Sequence, residues 1–201
     1  MEDKKKKILL ISPPSPVLNR EDRCQQPTKE LLVIPPLPPT DLMYLAAVAE
    51  DVGLEAKIVD YSQGGDFEKD LKEFQPDYLV VNVATPTFKS DLSSLTVAKE
   101  ICPDVITIAK GAAFLTVAFD VMYFQKDLDL ILFGEPEDTL REVLEGKDYS
   151  KILGLYYRDD LRAKFTGARP YIDDLDKLPF PARHLVDNNI YRRPDNNKVQ
   201  A

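Results

Sequence analysis

Tyr78-Leu79-Val80-Val81-Asn82-Val83-Ala84-Thr85-Pro86-Thr87-Phe88 decides the fold. Its first six residues form a short, almost wholly apolar run. A strand with one solvated face alternates apolar and polar residues, so an uninterrupted run predicts a strand covered on both faces. Thr85-Pro86-Thr87 ends it, because proline has no N–H to give a ladder. A helical period follows over residues 90–101. The unit is strand, hydroxyl-rich loop, helix.

The same unit recurs in both directions. Ile8-Leu9-Leu10-Ile11-Ser12 predicts a first buried strand, stopped by Pro13-Pro14-Ser15-Pro16. A long irregular stretch then runs through Pro35-Pro36-Leu37-Pro38-Pro39. Thr40 or Asp41 is placed to cap a helix with the apolar stripe Leu42, Leu45, Ala46, Val48 and Ala49, and Gly53 stops it. Residues 56–59 predict a second strand closed by Asp60, and residues 66–74 a short amphipathic helix. Residues 105–108 predict a fourth strand leading into Lys110-Gly111-Ala112-Ala113 and a helix over 114–125. Residues 130–133 predict the fifth, and Gly134-Glu135-Pro136-Glu137 opens another helix. This alternation specifies a doubly wound α/β fold with a five-stranded parallel sheet. A flavodoxin-like strand order fits, although sequence alone does not fix the order.

The pattern changes after Gly146. Residues 153–158 and 163–165 flank Asp159-Asp160 and predict a β-hairpin. Residues 171–182 are rich in Asp and Pro without a helical period, which predicts a linker or strap. The expected organisation is an α/β domain over residues 1–146, then a hairpin and linker over 147–201.

Composition narrows the function classes. A chain of 201 residues suits one domain with a short extension. A net charge of −8 repels phosphate backbones and argues against nucleic acid as a partner. The run Lys4-Lys5-Lys6-Lys7 reads as a solvated tail. Cys24 and Cys102 form no CxxC pair, which argues against a zinc site or a disulfide framework and suits a reducing cytoplasm. The apolar run 8–11 is too short for a membrane span or a signal peptide.

In an open parallel sheet, ligands bind outside the carboxyl ends of the strands. Those ends are Ser12-Pro13-Pro14, Asp60-Tyr61-Ser62, Ala84-Thr85-Pro86-Thr87, Lys110-Gly111-Ala112-Ala113 and Gly134-Glu135-Pro136-Glu137. Small residues admit a large flat ligand close to the backbone, and hydroxyls satisfy its polar edge. Catalytic equipment is sparse. His184 is the only histidine and falls in the linker. No serine or cysteine sits beside a recognisable base. Glu135 and Glu137 are better read as complementing a helix dipole than as a catalytic pair. There is no GxGxxG after Gly64-Gly65-Asp66 and no GxxxxGK[ST] loop. A receiver-type phosphorylation site would need paired acids where Ser12-Pro13-Pro14 stands. The pattern describes a domain that holds a ligand rather than transforms one.

Several motifs carry a resemblance. They are residues 8–14, Pro38-Pro39 leading into Leu42-Met43-Tyr44-Leu45-Ala46-Ala47, Thr85-Pro86-Thr87-Phe88, Lys110-Gly111-Ala112-Ala113-Phe114, and residues 134–140. Residues 152–158 and Leu178-Pro179-Phe180-Pro181-Ala182-Arg183 complete the set. In order and spacing the set resembles the N-terminal cobalamin-binding domain of radical S-adenosylmethionine proteins. The branch is that of anaerobic magnesium-protoporphyrin IX monomethyl ester cyclase and cobalamin-dependent methylases. The resemblance implies cobalamin across the carboxyl edge of a flavodoxin-like sheet. Contacts would come from Ser12 and Pro13, from Thr85, Pro86, Thr87 and Phe88, from Gly111, Ala112, Ala113 and Phe114, and from Gly134, Glu135 and Glu137. It implies no catalytic residue and no metal ligand in this domain.

Two positions depart from the family pattern. The Asp-x-His-x-x-Gly motif that supplies an axial histidine is absent, and the frequent Gly-Gly-x-His of the fourth-strand loop is Lys110-Gly111-Ala112-Ala113 here. The resemblance further implies that a Cys-x-x-x-Cys-x-x-Cys loop would follow near residue 201. That loop would hold a 4Fe–4S cluster and S-adenosylmethionine in a C-terminal radical domain, the expected partner besides the corrinoid. The chain is therefore expected to be a fragment that is not catalytic alone. Its whole protein would carry out methyl transfer or ring-forming chemistry. Two alternatives stay open: a cofactor-free interaction domain that kept the fold, and a flavin- or nucleotide-binding flavodoxin-like protein.

Overall fold

The computed structural model describes residues 5–14, 18–19, 26–27, 37–160, 162–192 and 198–199. Lys4, Ser15-Pro16, Cys24, Pro35-Pro36 and the terminal residues 200–201 lie outside the described residues.

Five strands run parallel: β1 (Lys7–Ser12), β4 (Glu55–Asp60), β5 (Tyr78–Asn82), β6 (Ile106–Lys110) and β7 (Leu130–Leu132). The short β2 (Leu18–Asn19) and β3 (Gln26–Pro27) pair antiparallel as a separate sheet. The predicted hairpin is β8 (Leu155–Asp159) with β9 (Arg162–Phe165). It is not a separate appendage. β8 pairs antiparallel with β7, so the main sheet has seven strands in the order β4-β1-β5-β6-β7-β8-β9, rather than the five expected.

Both faces are covered, as the continuous apolar runs require. Alternate residues of each strand separate into two cores. Leu10, Val80 and Ile108 face α1 (Thr40–Asp51) and α5 (Glu137–Leu144), where Leu42, Met43, Leu140 and Val143 meet them. Leu9, Val81 and Ala109 face α2 (Phe67–Phe74), α3 (Phe88–Ile101) and α4 (Phe114–Phe124).

Local chemistry sets the element ends. Asp66 caps α2 by accepting the Lys69 amide at 3.0 Å. Gly53 follows α1 at φ +96, a conformation that favours glycine, and lets Leu54 N–H reach the Ala49 carbonyl at 2.9 Å. Neither Thr40 nor Asp41 caps α1; Pro39 occupies that position with no side-chain bond. The Asp41 carboxylate is engaged elsewhere, by Lys110.

Residues 171–192 form a strap with three short 3-10 turns. Ile172 N–H donates to Glu135 at 2.8 Å. Ala182 N–H donates to the Met43 carbonyl of α1 at 3.0 Å. Tyr191, 1% exposed, reaches Asp60 at the end of β4 with a 3.4 Å contact. No helix among the described residues is long and apolar enough to cross a membrane.

Candidate functional site

Parallel strands place all their carboxyl ends on one edge. The first crossover runs from β1 to β4 and the next returns past β1 to β5, so strand order reverses between β1 and β5. A crevice opens at such a reversal, and ligands of open α/β sheets bind there. Thr85, Gly111 and Gly134, with the loop residues around them, fall on this edge, beside Ser12 and Pro13.

The loop after β5 is held from beneath by Asp91 of α3. Asp91 is fully buried and accepts bonds from Ala84 N–H at 2.9 Å and Thr87 Oγ1 at 2.8 Å. A buried carboxylate with these donors pins the loop. Thr85 and Pro86 stand exposed above it, while Thr87 and Phe88 are half-buried. Phe88 packs on Phe114 with ring centres 5.8 Å apart. Phe114 is 1% exposed, so its ring supports the loops rather than facing the edge. Asp91 escaped the sequence reading. Its signal is Thr87 four residues earlier, a spacing that brings the two side chains together on one helical turn.

The loop after β6 approaches the β5 loop closely. Val83 N–H donates to the Lys110 carbonyl at 2.8 Å. A Cβ on Gly111 would stand 2.1 Å from the Val83 carbonyl oxygen, so only glycine fits. Ala112 is exposed and Ala113 half-buried.

Lys110 follows Ile106 and Ile108 on the face covered by α1 and α5. Its ammonium ion-pairs with Asp41 in the first turn of α1, with side-chain exposures of 13% and 20%. The pair crosses the end of β5, where Asn82 is the register partner of Lys110. Glu137, in the first turn of α5, lies near Lys110. Burial pushes the Glu137 carboxyl above its ordinary range, against the pull of its backbone N–H and of Lys110, and Glu135 and Asp138 add to the rise. Glu135 is half-buried and is bonded to the strap at Ile172, and Gly134 is exposed.

On the opposite face the same loops open into a groove of about 750 Å³ between α3 and α4. Thr85 and Ala112 lie at its strand-end mouth, and Phe88, Leu92, Val117 and Phe124 line its walls. The groove was not anticipated. Its signal is the α4 sequence, apolar around most of its circumference, which implies either full burial or a ligand or partner. α4 is not fully buried: Leu115, Phe119, Tyr123 and Phe124 are 52–77% exposed.

Other candidates lie apart from this edge. His184 bonds Glu50 at 2.9 Å in the last turn of α1, the end remote from the strand-end loops. Cys102 is buried, and burial raises its thiol above the ordinary value. Among the described residues no cluster of three or more His, Cys, Asp or Glu side chains is arranged to hold a metal ion.

The fold is an open α/β domain with a mostly parallel sheet, whose strand-end loops gather on one edge. Comparison with known proteins narrows this. No family model matches. The chain is 26% identical over 183 residues to an uncharacterized methyltransferase of Pyrococcus horikoshii, covering 82% of this chain and 40% of that protein. It is 24% identical over 154 residues to the anaerobic magnesium-protoporphyrin IX monomethyl ester cyclase of Rubrivivax gelatinosus, covering 70% of this chain and 28% of the cyclase. Among solved structures it is similar to TsrM, a radical S-adenosylmethionine methyltransferase from Kitasatospora setae. The TM-score is 0.61 at 23% identity to TsrM bound to cobalamin and a 4Fe–4S cluster, covering 83% of this chain and 32% of that one. It is again 0.61, at 22% identity and with 97% and 36% covered, for TsrM with tryptophan and a S-adenosylmethionine analogue. The resemblance read from the motifs thus holds at the level of relatives and fold. The chain spans well under half the length of these curated relatives.

Proposed function

We propose that this chain is the corrinoid-binding platform of a radical S-adenosylmethionine enzyme, with cobalamin lying across the carboxyl edge of a flavodoxin-like sheet. The carrying observation is the pairing of the β5 and β6 loops. Gly111 brings them into backbone contact, Asp91 fixes them from below, and Thr85, Pro86 and Ala112 present a small, low surface above. That surface fits a broad, flat macrocycle with a hydrogen-bonding periphery. The order of the five parallel strands, with the first between the second and third, supports the flavodoxin-like reading.

When bound, cobalamin supplies the carbon-transfer or radical chemistry. This chain's residues bind and orient: Gly111, Ala112 and Pro86 let the macrocycle lie close to the backbone, and the exposed Thr85 stands where its polar periphery would fall. No described side chain at the edge is a histidine. Methyl transfer or ring formation, with the 4Fe–4S cluster and S-adenosylmethionine, is proposed for the whole protein, as is its cytoplasmic location. The experiment is to mix the purified chain with hydroxocobalamin, desalt, and record the visible spectrum. Corrinoid absorbance co-eluting with folded protein is expected; protein eluting colourless overturns the reading.

One observation favours a second reading, a cofactor-free interaction domain. The Lys110–Asp41 pair occupies part of the edge, and α4 exposes Leu115, Phe119, Tyr123 and Phe124. Colourless protein that self-associates or captures a partner through α4 is its expected behaviour.

A further inference from the structure

The outer surface of α4 holds a protrusion and a recess side by side. Tyr123 and Phe124, at the C-terminal end of the helix, are 67% and 77% exposed. Next to them runs the groove of about 750 Å³, walled by Phe88, Leu92 and Val117. The groove also carries one charge of each sign. Lys89 of α3 and Asp120 of α4 both line it, both are exposed, and neither is ion-paired with another described residue. A surface that pairs with itself about a two-fold axis needs these features together, because each copy offers the same patch. It must supply both knob and recess, and both signs of charge. At a net charge of −8 two copies of the chain repel each other as a whole, and opposite charges facing across the groove act locally against that repulsion. Covering Leu115, Phe119, Tyr123 and Phe124 removes on the order of 500 Å² of surface per copy, and the groove walls add to it, against about 800 Å² per partner in a standard interface.

We propose that the groove between α3 and α4 docks a second copy of this chain, in a two-fold dimer in which Tyr123 and Phe124 of each copy enter the groove of the other and Lys89 of each faces Asp120 of the other. The aromatic rings supply the apolar burial that anchors an interface. The two crossed charge pairs fix its register and reject other orientations. The inference does not rest on the corrinoid reading, and either can fail without the other.

The test is analytical ultracentrifugation of the purified chain over a concentration series, where a reversible monomer–dimer equilibrium is expected. Lys89→Asp sets carboxylate against carboxylate at both crossed pairs and should weaken the dimer about tenfold or more. Asp120→Lys should do the same with two ammonium groups. The double variant Lys89→Asp/Asp120→Lys rebuilds both pairs with their signs exchanged and should recover the affinity of the unaltered chain. That recovery also shows that the single variants did not act by misfolding, as does the exposure of both positions. Phe124→Ser should weaken the dimer by removing an anchor. A monomer at every concentration means that another occupant, the corrinoid or a further domain, covers the groove, and overturns the inference. A dimer indifferent to both single charge reversals, or weakened by them but not restored in the double variant, is built on other contacts and overturns it as well.

Discussion

Gly111 and Asp91 do most to shape the edge, and each makes a measurable prediction. Gly111→Ala forces a methyl group against the Val83 carbonyl. The strain is expected to cost about 3 kcal/mol, read as a lowered urea midpoint at unchanged slope. Asp91→Ala leaves the Ala84 amide buried without its acceptor. Its expected cost is about 1–3 kcal/mol, together with faster hydrogen exchange at Ala84. Glu137 predicts a pH effect. Its folded carboxyl titrates above the unfolded one, so the native state holds the proton more tightly. The stabilisation is present below the unfolded carboxylate range and is lost as pH rises through the raised folded value. Glu137→Gln should flatten that decline in unfolding experiments across the acidic range, and an unchanged profile would count against the assignment. At this scale the sequence was partly legible. The contact loops could be placed because prolines and glycines mark strand ends. Asp91 carries a local signal in Thr87, four residues earlier, whereas the Lys110–Asp41 pair has none, because partners separated by 69 residues are joined only by the fold.

The elements were largely legible, because buried parallel strands and amphipathic helices carry different periods. Their ends shifted for physical reasons. α3 begins at Phe88 rather than near residue 90, since the turn Thr85–Thr87 tolerates Pro86 at its first positions and feeds directly into the helix. β6 runs to Lys110, beyond the expected 108, because Asn82 of β5 continues the ladder. The hairpin was read correctly as a hairpin, but not as part of the sheet. Tyr156 of β8, ring to ring with Phe119 and Phe133, shows what joins it: aromatic packing over the β7 edge. α4 is the element whose composition its packing does not exhaust. Phe124→Ser, at a position 77% exposed, should change stability by less than about 0.5 kcal/mol. The same variant should reduce binding of a hydrophobic dye, and undiminished dye fluorescence would show that the α4 surface is not the apolar patch of the protein.

For the whole molecule, the sheet acts as a partition. One face carries the Lys110–Asp41 ion pair, the other the open groove, and the strand-end loops connect them. This division follows from alternation along β6, where Ile108 and Lys110 point one way and Ala109 the other. The strap then ties the far end of the chain to the first half. Tyr191 lies 131 positions from Asp60 in sequence, and the Ala182 amide bonds Met43. Closing so long a loop costs more than closing a short one, though the cost grows only slowly with length. Translation must pass Tyr191 before that ring can cover the end of β4, so in a growing polypeptide all five parallel strands are made before the residue that seals this corner of the sheet.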